Sequence, residues 1–321
     1  MDFINRPHTP TGGFAAANLI NIDDLPAAET AYVLDLAEYY ARFLQAGQRP
    51  PARLGGKTQI NLFFEDSTRT NLSFELAGRR LGADVLNVPV AASSVNKGES
   101  LVDTAQTLAA MGAHALIVRH KEPRVHDEIA KRISCPVINA GDGVREHPTQ
   151  ALLDAAVICS VFGSMKDLIV AICGDIKHSR VAASGASLFS KLGAEVRFVG
   201  PTHLMPPPYQ MAQAKRFDTL AEGIAGADIV MALRMQTERM EGDVDTAGAN
   251  YFEKFGLTHE SIRAAKSGAK IMHPGPMNRG VEIDGALADD ETRSLILKQV
   301  FYGVATRMAV LDALITKGAA F

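Results

Sequence analysis

Phe63-Phe64-Glu65-Asp66-Ser67-Thr68-Arg69-Thr70 lies at the joint between two patterns. An apolar run, Ile60 to Phe64, precedes its end, and Leu72, Leu76, Arg79 and Arg80 follow at helical spacing. Strand, tight turn and helix is the reading these periods give. Three hydroxyls and a guanidinium then stand where a helix begins, beside backbone N–H groups that the helix leaves unpaired. A helix start carries partial positive charge and a guanidinium can hold two oxygens, so the spot suits a phosphate. An ordinary N-cap, with Ser67 or Thr68 capping and Arg69 solvated, accounts for the same residues. The surrounding chain has to decide between the two.

Outward from that joint, short apolar segments alternate with helical ones. A helix is expected over 27–44, then a Gly- and Pro-rich breaker at 45–52. Strands come next at 58–64, 84–88, 114–119 and 136–139, with helices at 68–82, 100–111 and 125–132 and a loop at 91–98. His147 to about Phe162 reads as a longer apolar helix with Pro148 in its first turn, a candidate connector between two halves. A second alternation has strands at 168–173, 194–199, 228–233 and 269–272. Helices are expected there at 180–192, 210–217, 219–224, 258–266 and 290–316, with loops at 234–250 and 273–285. Strands that are apolar on both faces and separated by helices belong to parallel sheets covered on two sides. With 321 residues, two domains of about 150 each are expected. The fold class is α/β, each domain a mainly parallel sheet with helices on both faces.

Composition narrows the function. The 33 Lys and Arg against 36 Asp and Glu give a net charge of −3, so no basic excess points to nucleic acid. Any anion site must be local, built from a few placed arginines. Cys135, Cys159 and Cys173 lie in apolar surroundings without Cys-x-x-Cys spacing and read as buried free thiols of a reducing compartment. No apolar run reaches 18 residues and the N-terminus has no signal-peptide core, which makes a cytoplasmic protein without membrane contact the expectation. No Gly-x-Gly-x-x-Gly follows an expected strand and no Gly-x-x-x-x-Gly-Lys-Ser/Thr is present. No cluster at metal-ligand spacing stands out, so neither a metal nor a cofactor is expected.

Ligands of parallel sheets bind beyond the C-terminal strand ends. Those positions carry Ser67-Thr68-Arg69-Thr70, Arg119-His120, His147-Pro148-Thr149-Gln150, Gly174-Asp175 with Arg180, Arg234-Met235-Gln236, and His273-Pro274-Gly275-Pro276. Four arginines thus gather where such a fold holds its ligand, and a forked permanent charge is suited to phosphate and carboxylate. An anionic substrate pair is the inference. Arg79 and Arg80 read as a solvated helix face, His114, His120, His178 and Glu222 as structural, and Met231, Met235 and Met240 as filling.

Taken together, Ser67-Thr68-Arg69-Thr70, Lys97-Gly98-Glu99, His147-Pro148-Thr149-Gln150 and His273-Pro274-x-Pro276 resemble, in order and spacing, the aspartate/ornithine carbamoyltransferases, most closely those acting on aspartate. The resemblance covers nearly the whole chain. It implies a carbamoyl phosphate-binding domain over 1–149 with 304–321, an aspartate-binding domain over 150–303, and an active site between them. It also implies a homotrimer with shared sites. Ser67, Thr68, Arg69 and Thr70 would cradle phosphate; Arg119, His147 and Gln150 would contact the carbamoyl end. Gly275 and Pro276, with Pro274, would offer backbone contacts. Ser93 and Lys97 would enter from the neighbouring subunit, Lys97 toward aspartate. Arg180, Arg234 and Gln236 would hold the aspartate carboxylates, and Glu65, Glu238 and Arg239 would bridge the domains on closure. Arg69, Thr70, Arg119 and His147 form the implied catalytic set.

Three departures qualify the match. Gly275 stands where some relatives carry a larger apolar residue, Ser93 aligns only by its distance from Lys97, and Asp66 should face solvent. Two rivals remain: transfer to ornithine, which would want a carboxylate and a thiol in the second half, and a non-catalytic scaffold. Whether a regulatory chain or a dihydroorotase-like partner attaches is left open by the sequence.

Overall fold

Thr58–Phe63 forms β1, the centre of a four-stranded sheet with β2 (Asp84–Val88), β3 (Ala115–His120) and β4 (Val137–Asp142) in the order β2-β1-β3-β4. The structure, a computed structural model, describes residues 5–88, 99–235 and 244–318, without the side chains of 244–249. Every pairing is parallel. β1 is buried through its middle, β3 over its first four residues and β4 throughout, with Gln59, Asn61, Asn139 and Asp142 buried among the apolar residues. Helices α1 (Ala27–Gln45), α2 (Thr68–Arg80), α3 (Leu101–Ala110) and α4 (Val125–Ala130) accompany this sheet. Gly78 lets α2 lie close against it: a Cβ there would collide with Gln59 Oε1 and fall 2.7 Å from Val85 Cγ2.

A second sheet is also wholly parallel, in the order β7-β6-β5-β8-β9, from β5 (Ile169–Cys173), β6 (Glu195–Val199), β7 (Lys215–Phe217), β8 (Ile229–Ala232) and β9 (Lys270–Met272). Its helices are α6 (Arg180–Lys191), α7 (Leu220–Ile224), α8 (Val244–Phe255) and α9 (Gly285–Ala288). α5 (Pro148–Phe162) and α10 (Ile296–Thr316) complete the described helices. The chain divides into two compact units, Met1–Ala156 with Val300–Phe321, and Val157–Gln299; it leaves the first within α5 and returns within α10.

Several segments differ from the expected ones. Residues 210–217 are no helix. Lys215–Phe217 instead extends the sheet by pairing with Arg197, Phe198 and Val199, and the prolines at 206–208 remove the donors an earlier helix would need. The expected loop 234–250 ends in α8, whose Tyr251 and Phe255 stack with ring centroids 5.4 Å apart in the second unit's core. Over 258–266 only a 3-10 turn forms, Ser261–Ala264. α10 starts at Ile296 because the preceding backbone is in use: Ile271 donates to Arg293 O and Leu295 donates to Ile271 O.

In the first unit, α10 is tied to the beginning of the chain by a buried carboxylate. Asp312 accepts from Arg6 Nη2 at 2.8 Å, Tyr40 Oη at 2.7 Å and Arg53 Nε at 3.2 Å. Cys173 is buried, Cys135 and Cys159 are half-buried, and none of the three is in a disulfide. Among the described residues no helix is long and apolar enough to cross a membrane.

Candidate functional site

Strand order marks a candidate position in each sheet before any side chain is considered. In the first sheet the chain runs from β1 outward to β2, then places β3 on the other flank of β1. In the second it runs β5, β6, β7 and then crosses to β8, on the other flank of β5. Each sheet therefore has a switch point, β1/β3 and β5/β8. Connections there diverge and leave a crevice at the C-terminal strand ends.

At β1/β3, Ser67 holds the N-cap position of α2 with extended φ, but its hydroxyl makes no capping bond. The first-turn N–H groups of α2 are thus left for another acceptor, which the N-cap expectation had assigned to Ser67. Thr68 and Arg69 are exposed, Ser67 is half-buried and Thr70 is buried; Asp66 faces solvent as expected. Although Arg69 is exposed overall, protein around its guanidinium strips enough water to lower its pKa from the ordinary value. It stays a cation at neutral pH.

Phe64 donates to Arg119 O at 2.9 Å, prolonging the β1–β3 ladder by one residue. That register brings Glu65 beside Arg119, carboxylate to Nε 3.1 Å, while Arg119 Nη1 donates to Ala140 O at 3.2 Å. Arg119 is thus gripped from two sides at the strand end. Glu65, expected to act between domains, has this partner inside the first unit.

Across β3, β4 leads to α5. His147 immediately precedes the helix and is 5% exposed, its carbonyl accepting from Gln150 at 2.9 Å and Ala151 at 3.3 Å. Gln150 is 8% exposed and donates from Nε2 to Asp154 Oδ1 at 3.0 Å. Asp154 and Arg307 were not singled out from sequence. Asp154 is the one charge in α5 and Arg307 one of few in the apolar α10, a signal that points to them. Arg307 is buried, with Nη1 donating to Gly303 O at 3.0 Å and Nη2 to Thr149 Oγ1 at 3.5 Å.

At β5/β8, Gly174 adopts φ 135°, and a Cβ there would sit 3.0 Å from both Leu233 Cβ and Leu233 O. The two strand ends approach that closely only with glycine. Arg180 opens α6 behind Ser179, whose Oγ accepts from Ala182 at 3.1 Å. Arg234 follows β8, half-buried, and Met235 is buried. The neighbouring acid Asp175 is engaged, accepting from the His178 backbone at 3.2 Å and lying 3.0 Å from His178 Nδ1.

Beyond β9, His273 fixes the loop that carries Pro274, Gly275 and Pro276. Its Nδ1 accepts from Gly275 at 2.8 Å, so Nε2 carries the hydrogen and donates to Glu282 Oε1 at 3.1 Å. Glu282, which sequence reading passed over, is 1% exposed and also accepts from the Asn278 and Met235 backbones, the latter at 3.3 Å. Asn278 Nδ2 donates to Met235 O at 3.2 Å. One carboxylate and one amide thereby join the loop after β8 to the loop after β9. Ser93, Lys97, Gln236, Glu238 and Arg239 lie outside the described residues.

The residues read as structural have local partners. His114 Nδ1 accepts from Thr58 at 3.2 Å, His120 Nδ1 from Glu122 at 3.0 Å, and Glu222 from Thr219 Oγ1 at 2.8 Å. Arg79 pairs with Glu75 at 2.9 Å on an exposed face. Among the described residues no group of His, Cys, Asp and Glu could hold a metal ion.

This arrangement has counterparts. The carbamoyl-P binding domain of aspartate/ornithine carbamoyltransferase matches residues 17–160, and the Asp/Orn binding domain matches residues 166–314. The aspartate carbamoyltransferase catalytic subunit of Granulibacter bethesdensis is 51% identical over 314 residues, covering 98% of this chain and 96% of that protein. A crystal structure of aspartate transcarbamoylase from Trypanosoma cruzi in complex with carbamoyl phosphate superposes with a TM-score of 0.86 at 31% identity, covering 96% of this chain and 98% of that one. Another of that enzyme, in complex with carbamoyl phosphate and aspartate, gives 0.85 at 31% identity, covering 97% and 99%. With both halves matched and half its residues shared with a full-length relative, the chain belongs to the aspartate/ornithine carbamoyltransferase family.

Proposed function

We propose that this chain transfers the carbamoyl group of carbamoyl phosphate to the amino group of L-aspartate, releasing N-carbamoyl-L-aspartate and phosphate, an early step of pyrimidine biosynthesis. The observation that carries the reading is the β1/β3 strand end. There an uncapped helix start, Arg69 and a doubly held Arg119 are built for a phosphorylated ligand.

In this reading Ser67, Thr68, Arg69 and Thr70 bind the phosphate, with Arg119 reaching both phosphate and carbamoyl oxygen. The uncharged amine of aspartate attacks the carbonyl carbon. Negative charge grows on the carbonyl oxygen, where Arg69, Thr70, Arg119 and His147 donate. The tetrahedral intermediate then expels phosphate, and the amine loses its proton. Removing one such donor costs about 100- to 1000-fold in rate. Gln150 faces the carbamoyl nitrogen, while Gly275 and Pro276 supply backbone contacts. Arg180, Arg234 and Gln236 hold the aspartate carboxylates, and Glu238 and Arg239 act on closure.

Aspartate is favoured over ornithine by what the second unit leaves available. Arg180 and Arg234 stand at strand ends, whereas the nearby acids Asp175 and Glu282 are already bonded within the unit. A cationic side chain would meet arginines there. The relatives named for aspartate support the same choice.

The reading includes a cytoplasmic homotrimer, with Ser93 and Lys97 serving the neighbouring site. Leu72 and Leu76 on α2 and Leu86 on the edge strand β2 are 52%, 45% and 54% exposed, an apolar set suited to a second copy. Cysteines without disulfides accord with a reducing compartment. Purified chain given carbamoyl phosphate with aspartate or with ornithine tests the proposal. Carbamoyl-aspartate as the product supports it. Carbamoylation of ornithine alone overturns the substrate, and no product from an intact oligomer favours a scaffold.

A further inference from the structure

The first unit holds a buried polar chain at the start of α5 that the proposed chemistry leaves unexplained. Gln150 Nε2 donates to Asp154 Oδ1 at 3.0 Å, four residues on and therefore on the same helix face. Asp154 is fully buried. Arg307, 3% exposed on α10, has its Cζ 5.0 Å from the centre of the Phe74 ring. Burial pushes the Arg307 pKa down to about 9, and the attraction of Asp154 is what opposes that fall. Asp154 is the acceptor in its contact with Gln150, the role a carboxylate fills.

An anionic carboxylate accepts hydrogen bonds and donates none. The Gln150 edge that faces it must be the NH2, which settles the orientation of an amide otherwise free to rotate by half a turn. Gln150 Oε1 then points away from Asp154, with no hydrogen-bond partner among the described residues. A lone acceptor, locked as an acceptor, is what a ligand N–H2 would meet.

We propose that Asp154 is a positioning residue that, through Gln150, selects the amino group of the carbamoyl ligand. The proposal rests on the carbamoyl phosphate reading of the β1/β3 site. A carbamoyl group offers two N–H donors where an acetyl group offers a methyl. With Asp154 in place Gln150 accepts from the amino group. Without it the amide turns over, and two donors oppose each other. Acetyl-type phosphates have nothing to give Oε1 and leave it unsatisfied.

Two stable probes read this directly. Phosphonoacetamide carries the amide, and acetonylphosphonate replaces its NH2 by methyl; inorganic phosphate reports the phosphate cradle alone. By calorimetry, the parent protein is expected to prefer the amide by about tenfold or more, the usual effect of leaving an acceptor unmet once a ligand has covered it. In Asp154→Asn that preference is expected to collapse to about twofold, with inorganic phosphate binding as in the parent, because asparagine can face Gln150 with either group. If Asp154→Asn does not fold, Asp154→Asn combined with Arg307→Met removes both charges together and is read the same way. A preference within about twofold of the parent's overturns the proposal, as does a parallel loss of all three ligands, since a merely structural acid would weaken them alike. Failure of the parent itself to bind phosphonoacetamide would instead remove the carbamoyl phosphate reading.

Discussion

The Glu65 carboxylate lies 3.1 Å from Arg119 Nε, joining the segment just past β1 to the end of the neighbouring β3. The contact follows from register, because Phe64 and Arg119 extend the ladder by one bond. Its consequence is a guanidinium aimed before any ligand arrives. Glu65→Gln is expected to weaken phosphonoacetamide binding by about three- to tenfold while barely changing thermal stability, since a partly exposed ion pair contributes only ~0–1 kcal/mol. Unchanged binding with a melting temperature several degrees lower would assign the pair to the fold instead.

Arg69 is exposed and packs little, so its removal should be felt in chemistry alone. Arg69→Ala is expected to lower kcat by at least about 100-fold, the usual loss for one transition-state donor, with an unaltered unfolding midpoint. Turnover within about tenfold of the parent would rule Arg69 out of the site.

Glu282 gathers the Met235, Asn278 and His273 contacts that hold the loop after Arg234 against the Gly275–Pro276 loop. Glu282→Gln keeps the volume and loses the charge. It is expected to raise the KM for aspartate by about tenfold, the effect of misplacing a binding group slightly. Inorganic phosphate affinity should stay as it was, because the proposed phosphate cradle, Ser67 to Thr70, lies in the first unit. Equal losses for both ligands would show general damage.

His126 is fully buried and donates from Nε2 to Val118 O at 2.9 Å, leaving Nδ1 without a hydrogen-bond partner among the described residues. Burial lowers its pKa below the ordinary 6.5. As pH falls past that value the unfolded chain takes up a proton that the folded one refuses. The unfolded state then binds more protons, and stability drops with falling pH. Urea midpoints at pH 8 and pH 5 should therefore differ more in the parent than in His126→Gln. An identical difference in the two proteins would exclude His126 as the cause.

Lys97→Ala and His147→Ala are each expected to be inactive alone. Dissociated, mixed and reassembled, they should recover a fraction of parental activity, because in a shared-site trimer some interfaces pair two intact contributions. No recovery in mass-verified mixed trimers would count against sharing.

Much of this was legible in the chain because the signals were local and repeated. The segments at 58–64 and 168–173 made strands, and parallel pairing put the residues just past them at the C-terminal edges of their sheets. Where the sequence misled, a distant partner decided the outcome. Lys215–Phe217 became a strand because β6 offered an edge. Residues 293–295 stayed extended because Ile271 bonds them, so α10 began late. Tyr251 and Phe255 made α8 worth forming inside a stretch too polar to suggest it. Ser67 sits where a cap belongs but does not cap, a side-chain choice that no spacing records. Asp154, Arg307 and Glu282 escaped notice for a related reason: their meaning lies in what they touch.

Asp312, which gathers Arg6, Tyr40 and Arg53, also sets an order of events during synthesis. The second unit is one unbroken stretch, Val157–Gln299, and has all its residues before the chain is finished. The first unit does not. Its core waits for Met308, Leu311 and Leu314, and Arg6 and Arg53 have no Asp312 until the last turns of α10 leave the ribosome. The half that begins first is completed last, and a nascent chain stopped before residue 300 would carry a finished second unit behind an open first one.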